Sequence, residues 1–279
     1  MFKNISCFLP TFGQCWIIVF LIVVAGSLLG LPFLLISGNA LVSYVIPFLP
    51  AFIYVLIKGR AAGRKPDAPC VPLDRKIRSS MPALCAVAFL LALATLLLSV
   101  IILEPFSSLV EIPDYLIDNL YGAILEDPLW NVLSVVIAAP LLEEFFIRGI
   151  MLRGMLQRMS AAKAITWSAF IFALIHLNLY QALGAFVIGL FIGWVYYRSG
   201  SLLFAILIHF VNNSFSAAML FLFPEMELDT TLLEIVSENF GILSYILLYI
   251  LSAALFVTII RILNRFFNNA KKEKEVISA

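Results

Sequence analysis

Charged residues are scarce in this chain, and histidine is scarcer still. Asp, Glu, Lys and Arg make up 13% of the 279 residues, hydrophobic residues make up 63%, and there are only two histidines. A soluble globular chain is usually about one quarter charged. Together with a mean hydropathy of +1.05, this composition excludes an ordinary soluble domain and indicates a polytopic membrane protein.

Several signals that would point to other functions are also missing. The four cysteines form neither a CxxC pair nor a metal-ligand spacing, and no HExxH zinc helix occurs. The net charge is only +1 and no basic patch is interleaved with aromatic residues. We therefore expect no nucleic-acid partner. There is no internal repeat and no separate soluble domain.

Eight apolar segments approach the length of about 20 residues that a helix needs to cross a bilayer. The second and the sixth are the shortest. The predicted fold class is therefore all-α, a polytopic membrane helical bundle with about eight transmembrane helices. The predicted spans are residues 16–36, 40–57, 82–103, 129–147, 164–183, 184–197, 201–223 and 241–260.

The charges of the loops orient these spans. Residues 58–80, which include Arg78, contain seven Lys and Arg against two Asp. Residues 104–127, which include Asp118, contain six Asp and Glu and no Lys or Arg. By the positive-inside rule the first loop is cytoplasmic and the second lies outside. The remaining loops fit the same alternation, with the acidic loop 224–239 outside, so we predict an integral, multi-pass membrane protein with both termini in the cytoplasm.

Three of the predicted spans contain ionisable residues at depth: Glu143 and Glu144 in the fourth, His176 in the fifth and His209 in the seventh. An ionisable residue inside a bilayer is costly and is interpreted by default as part of a functional site. At a rise of about 1.5 Å per residue, His176 lies roughly 18 Å and His209 roughly 12 Å from the cytoplasmic start of its span. Glu143 lies near the cytoplasmic end of its own span, so these side chains can meet in the cytoplasmic half of the membrane.

Residues four apart share a helix face. Glu144 and Arg148 have this spacing and can form an ion pair, which leaves Glu143 as the carboxylate freer to face the interior. His209 and Asn213 share a face in the same way. Phe172 and His176 do so on the fifth span.

This set of side chains suits hydrolysis. A buried carboxylate beside a neutral imidazole can take a proton from water, and a second imidazole with an amide can donate hydrogen bonds to an oxyanion. Alternatively, Glu143, His176 and His209 form a three-ligand Zn²⁺ set that leaves a fourth position for water. Both routes lead to cleavage of an acyl bond by water, and the sequence leaves the choice open.

Three motifs in order carry a resemblance to a known family. Residues 143–148 have the form EExxxR, residues 172–176 the form FxxxH and residues 209–213 the form HxxxN. Together they resemble the CPBP intramembrane proteases, which include the type II CAAX prenyl endopeptidases and bacterial bacteriocin-processing and self-immunity proteins. The resemblance covers residues 129–223 as a catalytic core. Residues 1–128 then hold the N-terminal transmembrane helices with the basic loop, and residues 224–279 hold the last transmembrane helix and a basic cytoplasmic tail.

The resemblance implies roles for the motif residues. Glu143 and His176 would activate water. His209 and Asn213 would hold the oxyanion or, with the first two, ligate a metal. Glu144, Arg148 and Phe172 would be supporting positions.

The expected function is that of an intramembrane endopeptidase, with a metal-bound water as one option. Its expected partners are the lipid bilayer and a peptide or lipid-anchored protein substrate. One alternative is an ion- or proton-coupled transporter that uses the same polar residues, although transporters often show internal repeats. Another is a non-catalytic immunity or binding partner, which would keep the spans without needing Glu143.

Overall fold

The structure, a computed structural model, describes residues 2–77, 79–107, 109–117, 122–223 and 230–278. Arg78, Asp118 and residues 224–229, which contributed to the predicted loop charges, lie outside the described residues. Within the described ranges every regular element is helical. The predicted all-α, polytopic bundle is therefore confirmed.

The first half of the chain forms nine α-helical segments within the described ranges. They are α1 (Phe2–Ser6), α2 (Phe12–Phe20), α3 (Ser27–Ser37), α4 (Ala40–Val45), α5 (Leu49–Gly63), α6 (Met81–Leu96), α7 (Glu104–Ser107), α8 (Asp114–Leu116) and α9 (Ala123–Glu126). Turns of π-helix at Leu21–Gly26 and Leu97–Ile102 and a 3₁₀ turn at Ile46–Phe48 join or extend some of them into longer rods.

The second half contains eight more α-helical segments. They are α10 (Pro128–Val132), α11 (Ala139–Glu144), α12 (Arg153–Met155), α13 (Ala161–Leu174), α14 (Leu179–Ser199), α15 (Leu202–Leu222), α16 (Leu232–Phe240) and α17 (Ile242–Ser278). Stretches of π-helix at Leu133–Ala138 and Phe145–Leu152 connect α10, α11 and α12 into one rod, which is called the glutamate helix below.

Six helical segments in the described part of the chain are long and apolar enough to cross a membrane: Phe12–Phe33, Ala40–Gly63, Met81–Phe106, Leu179–Ser199, Leu202–Leu222 and Ile242–Ala270. The other two predicted spans correspond to the glutamate helix and to α13, a shorter apolar helix. The second predicted span, which looked short in the sequence, has full length.

The predicted boundary between the fifth and sixth spans was wrong. A continuous helix over 164–183 was expected, but α13 ends at Leu174 and α14 begins at Leu179. Asn178 ends the intervening turn as the N-cap of α14, accepting a hydrogen bond from the Gln181 backbone N–H at 2.8 Å, and Leu177 adopts a φ of +56°. An Asn that satisfies a free N–H starts a new helix here, so His176 lies in a turn rather than within a helix.

Two apolar clusters organise the bundle. The first joins α1, α2 and α5 to the glutamate helix and α13, and the second joins α6, α14, α15 and α17. The seam between them includes Gly189, where a side chain would come within 3.1 Å of the Phe172 ring and 3.2 Å of Ala169. Gly193 approaches Ile165 equally closely. The two glycines let α14 pack tightly against α13, as small residues do between membrane helices.

A buried arginine attaches the N-terminus to the glutamate helix. Arg153 is only 2% exposed. Its guanidinium donates to the carbonyls of Ile5, Phe8, Ser6 and Val71. Buried carbonyls need such partners, so Arg153 joins three separate segments of the chain.

Cys7 and Cys70 form a disulfide beside this arginine. The cysteine spacing in the sequence gave no sign of the pair. The positive-inside rule assigns both segments to the cytoplasm, where most thiols stay reduced. The hydrogen bond from Val71 N to Ser6 O, at 3.0 Å, and the Arg153 contacts hold the same segments together without the covalent bond.

We predict that Arg153→Met lowers the midpoint of thermal unfolding in detergent by roughly 5–10 °C, because buried carbonyls left without a donor cost about 1–3 kcal/mol. Arg60→Met, which removes an exposed arginine of α5, is the matched control and should leave the midpoint nearly unchanged. Equal midpoints for Arg153→Met and Arg60→Met would contradict the role given to Arg153.

Candidate active site

The glutamate helix departs from regular α-geometry on both sides of its two acids. Pro140 has no N–H to donate, and π-helical turns precede and follow α11. Proline and π-turns widen or bend a helix, and π-turns occur often at functional sites. Glu143 and Glu144 occupy the short α-helical stretch between these irregular turns, and both are buried.

Glu144 is the centre of a buried ionic network. Its Oε1 accepts from Arg148 Nη1 at 2.9 Å and from His209 Nδ1 at 2.9 Å. Glu144 and Arg148 are 0% exposed and His209 is 4% exposed. The i,i+4 pair expected from the sequence is therefore present, and it also holds the imidazole of α15. A carboxylate oxygen accepts, so His209 Nδ1 donates this hydrogen bond.

Phe172 connects this network to His176. The guanidinium carbon of Arg148 lies 4.6 Å from the centre of the Phe172 ring, a cation–π distance. The same ring meets the His176 imidazole at 5.2 Å and the His209 imidazole at 5.3 Å, edge to face in both cases. The two histidines thus flank one phenyl ring. Arg148 Nη2 also donates to Gly189 O at 3.0 Å, which fixes the guanidinium at the seam between the helices.

His176 is held by the turn in which it lies. Its Nδ1 lies 2.8 Å from Phe172 O. A carbonyl can only accept, so Nδ1 bears the hydrogen and the Nε2 lone pair of the neutral ring is left for another partner. Asn178 donates to His176 O at 2.9 Å, which fixes the backbone. The sequence carried a signal for this turn, since Asn178 and Gln181 have the spacing of a helix cap.

Asn213 lies one turn along α15 from His209, as expected from their spacing. Its Nδ2 donates to Val135 O at 2.9 Å, and its Oδ1 accepts from Asn212 Nδ2 at 3.2 Å. Val135 belongs to the glutamate helix, so this bond draws α15 against it. A carboxamide has two N–H hydrogens, and among the described residues only Val135 O accepts from Asn213, so the second hydrogen can point to a ligand.

Glu143 has a partner that the sequence analysis missed. Tyr44 of α4 donates its hydroxyl to Glu143 Oε1, across 99 positions of sequence. Glu143 Oε2 is buried and has no hydrogen-bond partner among the described residues; the same is true of Glu144 Oε2. Tyr44 lies in an apolar segment, LVSYVIPF, with no motif to mark it.

The contacts therefore link all three motifs, but unequally. Glu144, Arg148, Phe172, His176 and His209 form one connected group. Asn213 and Glu143 border it through the glutamate helix, and neither bonds directly to a motif histidine in the part of the chain that the structure describes.

The donor set was also considered as a metal site. No three His, Cys, Asp or Glu side chains are arranged to hold a metal ion among the described residues. Each histidine uses Nδ1 on a protein acceptor, and Glu143 binds Tyr44 through one oxygen. The zinc set Glu143, His176 and His209 stays a prediction.

The comparisons with known proteins agree with the motifs. Residues 125–215 match the family described as Type II CAAX prenyl endopeptidase Rce1-like. No curated protein and no solved structure matches the chain. The matched residues cover about a third of the chain and include all seven motif positions named above. This match supports the resemblance of residues 125–215 to the CPBP family of intramembrane proteases.

Proposed function

We propose that this protein is an intramembrane endopeptidase that hydrolyses a peptide bond of a membrane-associated peptide or lipid-anchored protein. Glu143 and His176 activate a water molecule, and His209 and Asn213 stabilise the oxyanion. The observation that carries the proposal is the buried network in which Glu144 and Phe172 connect the three family motifs. A non-catalytic binding protein would not need two imidazoles that are each oriented by a hydrogen bond at Nδ1.

The base in this mechanism is the pair formed by Glu143 Oε2 and His176 Nε2. Both are acceptors for which the described residues supply no hydrogen-bond partner. A water placed between them loses a proton to one of them as its oxygen attacks the carbonyl carbon. General-base assistance of this kind contributes about 10²–10⁴-fold. The same group then returns the proton to the nitrogen of the breaking C–N bond.

The oxyanion needs donors that are already oriented. Asn213 has one N–H left after its bond to Val135 O. His209 can donate from Nε2 once it is protonated, because its Nδ1 hydrogen already binds Glu144. The Glu144 carboxylate stabilises that imidazolium, so Glu144 acts through His209 rather than on the substrate. In a site without water, hydrogen bonds from donors that are already oriented become stronger as negative charge develops on the oxyanion.

The two neighbouring acids should respond differently to amidation. Glu143→Gln is expected to reduce turnover of a cleavable peptide by at least about 100-fold, the scale of general-base catalysis, while the thermal midpoint is kept. Glu144→Gln breaks a buried ion pair, which is strongly destabilising. Compared with Glu143→Gln, it should therefore lower the thermal midpoint more and reduce turnover less. Cleavage is followed by mass spectrometry of the peptide, and unfolding by thermal scans of the same samples.

The reverse order of turnover, with Glu144→Gln less active than Glu143→Gln, would contradict the choice of base. Ion flux in liposomes that is lost in Glu143→Gln, with no cleavage by the parent protein, would favour a transporter instead. If the parent protein cleaves no peptide, and Glu143→Gln still binds the peptide or protects against it, the protein would be a non-catalytic immunity or binding partner.

Tyr44 provides a second test, because it lies outside the matched residues. Tyr44→Phe removes only the hydroxyl that binds Glu143 Oε1, so we expect about a tenfold lower kcat and an unchanged KM. A tenfold change in kcat corresponds to about 1.4 kcal/mol, the scale of one lost hydrogen bond. Tyr197→Phe, at an exposed position of α14, is the control. An unchanged kcat for Tyr44→Phe would show that the hydroxyl does not influence the base.

A further inference from the structure

A cavity of about 880 Å³ lies at one end of the bundle, away from the motif residues. It is bounded by the end of α5, the start of α2 and the turn after α12. The loop that follows α5 closes another side with residues 65–69. These elements meet on the side where the basic loop lies.

The lining of the cavity is predominantly positive. Lys58, Lys65 and Arg158 line it, and Asp67 is the single acid among its lining residues. None of the three cations has an ion-pair partner within the described parts of the chain. Two positive charges therefore remain in excess, and an anion is the ligand that would balance them.

Two of these cations are held in place without being neutralised. Arg158 Nη1 donates to Gly154 O at 3.0 Å and to Pro10 O at 3.3 Å, which leaves the rest of the guanidinium for another acceptor. The Lys58 ammonium lies 5.5 Å from the centre of the Tyr54 ring, a cation–π distance. These two positive groups are thus oriented before any ligand arrives.

The walls are fixed as well. Cys7, Phe8 and Leu9 form one wall and Pro69 belongs to the opposite one. The disulfide between Cys7 and Cys70 and the bond from Arg153 to Phe8 O, at 2.8 Å, hold these walls to the bundle. A fixed, partly apolar concavity with a few convergent polar groups is typical of a ligand site.

The ligand should be amphipathic. Phe8, Leu9 and Ala61 supply apolar surface beside the cations, and the volume is greater than a small inorganic anion fills. Ile57 and Ile53 lie about one and two helical turns before Ala61 on α5, and they are 60% and 55% exposed. They form apolar surface on a membrane-spanning helix. Acyl chains lying along that surface would bring a headgroup to Lys58.

We propose that this cavity binds the phosphodiester headgroup of an anionic phospholipid from the leaflet on the basic side of the protein. Basic pockets between membrane helices bind such headgroups. The proposal uses none of the motif residues and does not depend on proteolysis.

Thermal unfolding in detergent, with added lipid, tests this site. Phosphatidylglycerol should raise the midpoint of the parent protein in a saturable manner and by several degrees more than phosphatidylcholine does, because a ligand that binds the folded state stabilises it. The triple variant Lys58→Gln, Lys65→Gln, Arg158→Gln should bind phosphatidylglycerol at least tenfold more weakly, since basic residues near a membrane surface attract anionic lipid.

The matched control is the triple variant Arg60→Gln, Arg64→Gln, Arg265→Gln. It removes the same charge from exposed positions outside the cavity and should keep the parent response. Lys65→Gln alone, at an exposed loop position, serves if the cavity triple fails to fold, and should show a smaller loss. Native mass spectrometry should show one retained phosphatidylglycerol on the parent and on the control triple.

Three outcomes would overturn the proposal. The first is an equal loss in the control triple, which would mean diffuse attraction between charges. The second is an equal effect of both lipids. The third is a shift by inorganic phosphate as large as that by phosphatidylglycerol, which would identify a soluble anion as the ligand.

Discussion

The site depends on one buried carboxylate oxygen. Glu144 Oε1 binds the guanidinium of Arg148 on its own helix and the imidazole of His209 on α15. Moving either ion of the pair from water into an apolar interior costs several kcal/mol, and only close pairing with further hydrogen bonds offsets that cost. Arg148 adds the bond to Gly189 O and the face of Phe172. These contacts fix the relative positions of the glutamate helix, α13, α14 and α15.

The N-terminal half of the chain supplies hydrogen-bond partners to residues of the matched region. Tyr44 supplies the hydrogen bond to Glu143, and the backbone around α1 supplies three of the carbonyls that surround Arg153. Both contacts reach the glutamate helix from residues outside 125–215. The matched residues therefore depend on the preceding part of the chain, because Glu143 and Arg153 take hydrogen-bond partners from it.

The sequence predicted the features of the site that depend on contacts between residues close together in the chain. Pairing of Glu144 with Arg148, and the shared face of His209 and Asn213, follow from helical periodicity alone. Apolar length similarly predicted six of the spans. The turn at His176 was missed because hydropathy runs through it, although Asn178 carries a cap signal. Tyr44 and the Cys7–Cys70 pair, at separations of 99 and 63 residues, depend on which helices pack together, and no periodicity encodes that.

The two adjacent acids lie in different environments, which suits each to a different role in the proposed reaction. Glu144 accepts from a guanidinium and from an imidazole N–H, and it thereby orients His209. Glu143 accepts one hydrogen bond from a neutral hydroxyl, and its second oxygen has no hydrogen-bond partner among the described residues. In the proposed reaction the oxyanion forms as Glu143 or His176 gains a proton, and a protonated His209 faces it. Charge then moves within the site while its net value stays constant, which is the condition an apolar interior imposes on hydrolysis.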